Sequence, residues 1–127
     1  MAEFMKSYSA QTYALMRIIT GGLFLCHGLS KLFHYPIAPP PEAPPFIIYS
    51  SGPLELVCGA LVAVGLLTRW AAFIASGLMA VAYWLAHGTR ALLPIANQGE
   101  LAVLYCFIFL FIAAHGPGIW SVDAARR

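Results

Sequence analysis

The sequence predicts an all-α protein: a four-helix transmembrane bundle, up-down-up-down, with both termini cytoplasmic. Three observations predict it. Apolar residues make up 61% of the 127 residues and charged ones only 9%, where soluble domains carry roughly 25% charge. The apolar residues gather in four runs separated by Pro, Gly and Asn. Ionisable residues inside those runs recur at helical spacing, on one face of each predicted helix. A single domain this short buries only about two-thirds of its surface on folding. With a mean hydropathy of +0.78, its natural solvent is lipid.

The elements follow in order, in one domain covering residues 1–127. The first helix is expected at about Thr12–Phe33, long enough to cross a bilayer, which takes about 20 residues. Arg17 interrupts its apolar run and no clear cleavage site follows, so this helix is expected to be retained. "HYPIAPPPEAPPFIIYSSG" (His34–Gly52) is too rich in proline to be helical throughout. The second helix is expected at about Pro53–Leu67. It is short for a span unless it starts earlier, in "FIIYSSG", or meets a thinned bilayer. After a tight turn at "LTR", the third is expected at about Trp70–His87. Gly88–Gln98 forms a loop, with Asn97 placed to cap a fourth helix at about Gly99–His115. Gly116–Arg127 is a tail.

Basic residues orient the bundle, because cytoplasmic flanks carry the excess of Lys and Arg. Lys6, Arg69, Arg126 and Arg127 fall on one side, against Lys31 and Arg90 on the other. Trp70 and Trp120 would mark one interface, Tyr35 and Tyr49 the other. A faint repeat pairs "HGLSK…GPLEL" with "HGTR…GEL", as two similar helical hairpins would. A net charge of +2 gives no reason to expect a nucleic-acid partner. Cys26, Cys58 and Cys106 lie on three different helices without CxxC spacing and read as small apolar packing residues.

In this topology the ionisable groups converge. His27 and Lys31 end the first helix, Glu55 starts the second, Tyr83 and His87 end the third, and Glu100 starts the fourth. At about 100° per residue, Arg17, Thr20, Gly21, Phe24, His27, Gly28 and Lys31 share one face. Glu55, Cys58, Gly59, Val62 and Arg69 share another; so do Ser76, Ala80, Tyr83 and His87, and so do Glu100, Leu104, Phe107 and Phe111. A charge at the centre of a membrane helix costs roughly 2.5–3.5 kcal/mol, so Lys31 is expected to pair with Glu55 or Glu100. Arg17 lies about 21 Å from Lys31 along the helix and would need Asp123 or a lipid phosphate.

Plainer readings stand beside these. Glu55, three after Gly52, and Glu100, three after Asn97, could each serve only as a helix cap. His87 and His115 precede glycine and could simply end helices. Lys31 could snorkel to the surface. No HxxxH or ExxH pair exists to fix a metal, and there is no phosphate loop or dinucleotide fingerprint. No intrinsic metal or flavin is therefore expected.

"MRIITGGLFLCHGLSKLF", "GPLELVCGALVAVGLLTRWAA", "MAVAYWLAH" and "NQGELAVLYCFIFLFIAAHGPGIWSVD", in this order, resemble the DoxX family of small bacterial membrane proteins. The resemblance implies a four-helix protein of the bacterial inner membrane, often described as an oxidoreductase or an oxidoreductase subunit. It also implies kinship with a component of an archaeal thiosulfate:quinone oxidoreductase. On that footing the polar pocket would take a quinone, which needs proton donors at two oxygens and a dry wall. His27 and His87 would donate, with Glu55 or Glu100 as relay; Lys31, Tyr83 and Arg17 would hold the ligand. Electrons would come from a partner. The alternative is a non-enzymatic accessory or assembly subunit, its Pro-rich loop docking a protein partner in a larger membrane complex.

Overall fold

The structure is a computed structural model that describes residues 3–127. Among these residues there are helices and no strand. A 3-10 turn at Lys6–Tyr8 leads into α1 (Ser9–Phe33). Then come α2 (Pro45–Val64), α3 (Thr68–Ala86), a single turn α4 (Pro94–Asn97), α5 (Glu100–His115) and a terminal turn α6 (Val122–Ala125). By length and composition α1, α2 and α3 can each cross a membrane, while α5 is an apolar helix of 16 residues.

The second helix departs most from expectation. It begins at Pro45 rather than Pro53, taking in the "FIIYSSG" that a span was expected to need. Pro44 is extended (ψ 135°) and Pro45 sits at the first helical position, where a missing N–H costs nothing. The apolar run after it then winds into the membrane helix. Pro53 lies inside the helix, and the carbonyl four residues back, on Tyr49, loses its donor. Glu55 is therefore well inside α2, and the capping reading for it fails. Asn97 ends α4, and Gly99, not Asn97, precedes the first turn of α5. The capping box expected for Glu100 is thus absent.

The helices pack as two hairpins. α1 lies antiparallel against α2, since Arg17 meets Val62 while Lys31 meets Glu55. α3 lies antiparallel against α5, since Arg69 meets Ala113 while Ser76 meets Cys106. The α2–α3 contact joins them and is sparser than either hairpin interface. Glycines set the first hairpin: a Cβ on Gly28 would lie 2.5 Å from the Leu56 nitrogen, and one on Gly59 2.5 Å from the Leu25 nitrogen. Backbone against backbone is how helices associate where lipid offers no hydrophobic drive.

The burial pattern is that of a membrane protein. Arg17 is 0% exposed and Glu55 3%, while Ile19 and Leu23 are more than half exposed at 58% and 54%. In water that arrangement would be inside out. The core joins Phe24, Val62, Ala72, Ala75, Phe109 and Ile112. The expected inward face of α1 holds, with Arg17, Thr20, Gly21, Phe24 and Gly28 buried. That of the last long helix does not: Leu104, Phe107 and Phe111 are exposed, and Tyr105, Phe109 and Ile112 are buried. Arg69 belongs to α3, not to the stripe of α2.

Candidate functional site

The site begins with two helical spacings. His27 and Lys31 are four apart on α1, as are Ser51 and Glu55 on α2, so each pair shares a face. The close approach at Gly28 brings those faces together. Lys31 Nζ donates to Glu55 Oε1 at 2.6 Å and to Ser51 Oγ at 2.7 Å. Ser51 Oγ donates in turn to the Ile47 carbonyl at 2.7 Å. Of this ion pair, the lysine side chain is 23% exposed and the carboxylate 3%. Glu55 Oε2 is buried with no hydrogen-bond partner among the described residues. An unpaired buried carboxylate oxygen costs about 1–3 kcal/mol or more, so it demands an explanation.

A cleft of about 320 Å³ lies beside it, between the hairpins. One side is Phe24, His27, Lys31, Ile47 and Glu55 from α1 and α2; the other includes Met79, Ala82, His87 and Gln98. His87 follows the last residue of α3. Its Nδ1 lies 3.1 Å from the Asn97 carbonyl oxygen. A carbonyl only accepts, so Nδ1 donates there, and in the neutral ring Nε2 keeps a free lone pair. Asn97 is itself 1% exposed. Its Nδ2 donates to Tyr83 Oη (2.9 Å) and to the Ala91 carbonyl (3.1 Å), and its Oδ1 accepts from the Gly99 nitrogen (2.8 Å). His27 meets Tyr105 edge-on, ring centroids 6.0 Å apart.

Of the residues picked from sequence, the structure thus gathers His27, Lys31, Glu55 and His87 at one cleft. It does not bring the others there. Glu100 is exposed and does not line the cleft. Tyr83 lines a separate apolar groove between α3 and α5 and steadies the loop through Asn97. Arg17 lies at the opposite end of the hairpin. There its Nη1 donates to the Val62 and Ala63 carbonyls, both at 2.8 Å. Its Nη2 donates to those of Ile119 (3.2 Å) and Trp120 (2.7 Å). Arg17 therefore caps α2 and ties down the tail, with no bond to Asp123. Asp123 instead accepts from the backbone nitrogens of Leu67 and Thr68 and from Thr68 Oγ1. These bonds, the Thr68 backbone first, hold its carboxyl below the usual range.

Sequence reasoning missed Ser51 and Gln98, and took Asn97 for a helix cap rather than the partner of His87 and Tyr83. Ser51 becomes visible once α2 is begun at Pro45, because it then stands one turn before Glu55. Gln98 carried no signal; its left-handed backbone (φ 61°) turns the chain at the cleft. Among the described residues no three His, Cys, Asp or Glu side chains are grouped to hold a metal ion. The chemistry on hand is proton exchange and hydrogen bonding at a carboxylate, two imidazoles and an ammonium, beside an apolar wall.

Fold and site together define a multi-span helical membrane protein with a polar cleft closed by a buried ion pair. The chain belongs to the DoxX family, whose model matches residues 12–88. That range holds α1 from Thr12 onward, α2 and α3, with His27, Lys31, Glu55 and His87 of the cleft; Glu100 lies outside both the range and the cleft. The chain is 35% identical over 126 residues to an uncharacterised protein of Haemophilus influenzae, covering 94% of this chain and 93% of that one. It is 32% identical over 136 residues to an uncharacterised membrane protein of Mycobacterium tuberculosis, covering 85% and 77%. No solved structure gives a significant match.

Proposed function

We propose that the cleft binds the ring of a membrane quinone and exchanges protons with it, in a protein that serves as a quinone-interacting component of a membrane oxidoreductase system. The observation that carries this reading is Glu55 Oε2, a buried oxygen without a partner on a carboxylate that lines a cleft with two histidines. A cleft of about 320 Å³ is at the small end for ligand sites and suits a ring. Its wall of Phe24, Met79, Ala82 and Leu101 is apolar, and its polar groups are few and convergent. Such a ring, when bound, supplies a two-electron, two-proton couple.

The protein's own residues then have distinct tasks. Lys31 keeps Glu55 oriented through Oε1 and places positive charge beside any negative charge that develops on the ligand. Glu55 Oε2 accepts a hydrogen bond from a ligand hydroxyl, or a proton. His87, with Nδ1 committed to Asn97, accepts a proton at Nε2 and donates only as imidazolium. His27 supplies the second exchangeable site from α1. Electrons enter from a partner.

The placement in the membrane belongs to the same proposal. α5, at about 24 Å for its 16 residues, serves as a fourth span in a locally thinned bilayer, completing an up-down-up-down bundle. Lys6, Arg69, Arg126 and Arg127 put both termini in the cytoplasm of a bacterial inner membrane. The cleft then faces the outer leaflet. The test is binding of menadione, a quinone without a tail, to the purified protein in lipid nanodiscs, with Glu55→Gln and His27→Ala made separately. Each substitution is expected to weaken binding by roughly tenfold, equivalent to about 1.4 kcal/mol. Wild-type affinity in both variants would remove the reading.

A further inference from the structure

A quinone that lives in a membrane carries a long apolar chain, and a cleft of this size holds no more than its ring. The chain needs a way out. A second groove, of about 140 Å³, runs along the seam between α2 and α3 and shares Ile47, Ala82 and Ala86 with the cleft. Only the methyls of Ala82 and Ala86 stand on α3 where the two meet. Beyond them the groove is walled by Phe46, Leu78, Val81 and Leu85. Its two hydroxyls are committed to the backbone of their own helix: Ser50 Oγ donates to the Phe46 carbonyl at 2.6 Å and Ser51 Oγ to that of Ile47. The groove therefore presents an apolar surface.

The seam is also looser than the interface within either hairpin. The α1–α2 and α3–α5 interfaces are packed along their lengths, whereas α2 and α3 touch more sparsely. The opposite side of α3 offers a larger groove of about 270 Å³, lined by Tyr83, Trp84 and Phe107. It shares only Met79 and Ala102 with the cleft, and Met79 is 6% exposed within the core. That side is shut.

We infer that the α2–α3 seam is the passage by which the isoprenoid chain of a ring-bound quinone leaves the cleft for the lipid. The inference rests on the quinone reading above and adds the ligand's tail and its route. The passage acts by sterics, because a chain gains little in exchanging lipid for an apolar groove. It is needed so that the ring can seat.

The experiment compares menadione with a naphthoquinone bearing several isoprene units, each titrated against the protein in nanodiscs. Two variants obstruct the seam. Val81→Trp fills the groove from the α3 side without touching the cleft wall. Ser50→Trp obstructs it from the α2 rim; both positions are exposed, so the core packing is left alone. The expected result is a loss of roughly tenfold or more in affinity for the tailed quinone, with menadione held within about twofold. If the wild type binds both ligands and both variants bind the tailed one as tightly, the passage is refuted and the ring site stands. Equal weakening of both ligands also refutes it. Failure of menadione to bind the wild type overturns the ring site, and the passage with it.

Discussion

Removing Lys31 is expected to cost more stability than neutralising Glu55, although both changes break one ion pair. The asymmetry comes from burial, 23% exposure for the lysine side chain against 3% for the carboxylate. Lys31→Met strands a buried carboxylate with no second partner on Oε2 among the described residues. Leaving one member of a buried pair uncompensated costs about 3–5 kcal/mol. Protonation limits the loss: at pH 7 a carboxyl with an ordinary pKa near 4.3 can take a proton for about 4 kcal/mol. Glu55→Gln keeps an oxygen for Lys31, and the lysine can reach the surface; the expected cost is about 1–2 kcal/mol. The double change Lys31→Met with Glu55→Leu removes both charges and is expected to fall within about 1 kcal/mol of wild type. Reversible unfolding in mixed detergent–SDS micelles, followed by fluorescence of Trp70, Trp84 and Trp120, measures all three. The reasoning is refuted if Glu55→Gln costs as much as Lys31→Met, or if the double variant is less stable than Lys31→Met alone.

The same unfolding assay checks the other expectations. Gly28→Ala should lose more than about 2 kcal/mol, because its Cβ would meet the Leu56 backbone. Gly22→Ala, with nothing within 4 Å, should be neutral or gain about 0.5–1 kcal/mol; a similar outcome for both would deny the close helix approach. Arg17→Met should cost about 3 kcal/mol, since the carbonyls of Ala63, Ile119 and Trp120 lose their side-chain donor at about 1 kcal/mol each. Limited proteolysis should then release the tail, and an intact tail would contradict its tethering by Arg17. Asp123→Ala should cost about 1 kcal/mol through loss of the α3 cap. Because the folded carboxyl is held below its usual range, its contribution is complete above the unfolded value near 3.9 and fades as pH falls below it. The gap between wild type and Asp123→Ala should therefore be constant from pH 7 to 5 and narrow below 4, and a gap that widens there would contradict the cap.

How much of this was legible in the sequence differs helix by helix. α1 was readable because it mixes residue types: Arg17, Thr20, Gly21 and Gly28 mark one face against Ile19 and Leu23 on the other, and the structure buries the first set. α5 was not, because "ELAVLYCFIFLFIAAH" is apolar all round. Taking Glu100 as the marker of its inner face put Leu104, Phe107 and Phe111 inside, whereas they are exposed. Proline misled at α2. Pro53 reads as a start, yet it lies inside a helix that Pro45 begins; in lipid a helix tolerates an internal proline when neighbouring groups satisfy the backbone. That eight-residue error hid Ser51 and turned Glu55 into an apparent cap. The Lys31–Glu55 pairing survived it, because Gly28 and the two charges fix the contact wherever α2 begins.

The two ends of the α1–α2 hairpin meet the same constraint in opposite ways, and the contrast favours the cleft as the place to test for a ligand. At one end Arg17 spreads its charge over four carbonyls. Those carbonyls end α2 or belong to the tail, so both Nη groups are consumed in closing the fold and only Nε is left buried without a partner. At the other end Lys31 is met by a carboxylate, which a purely structural cation would not need, since Arg17 manages with backbone alone. A carboxylate brings two oxygens, and only one is used. The surplus oxygen, buried at a cleft with His27 and His87, carries a stability cost that the fold itself gives no reason to bear. Such a cost persists where a ligand recovers it, and the cleft that Glu55 lines is a place from which a ligand could do so.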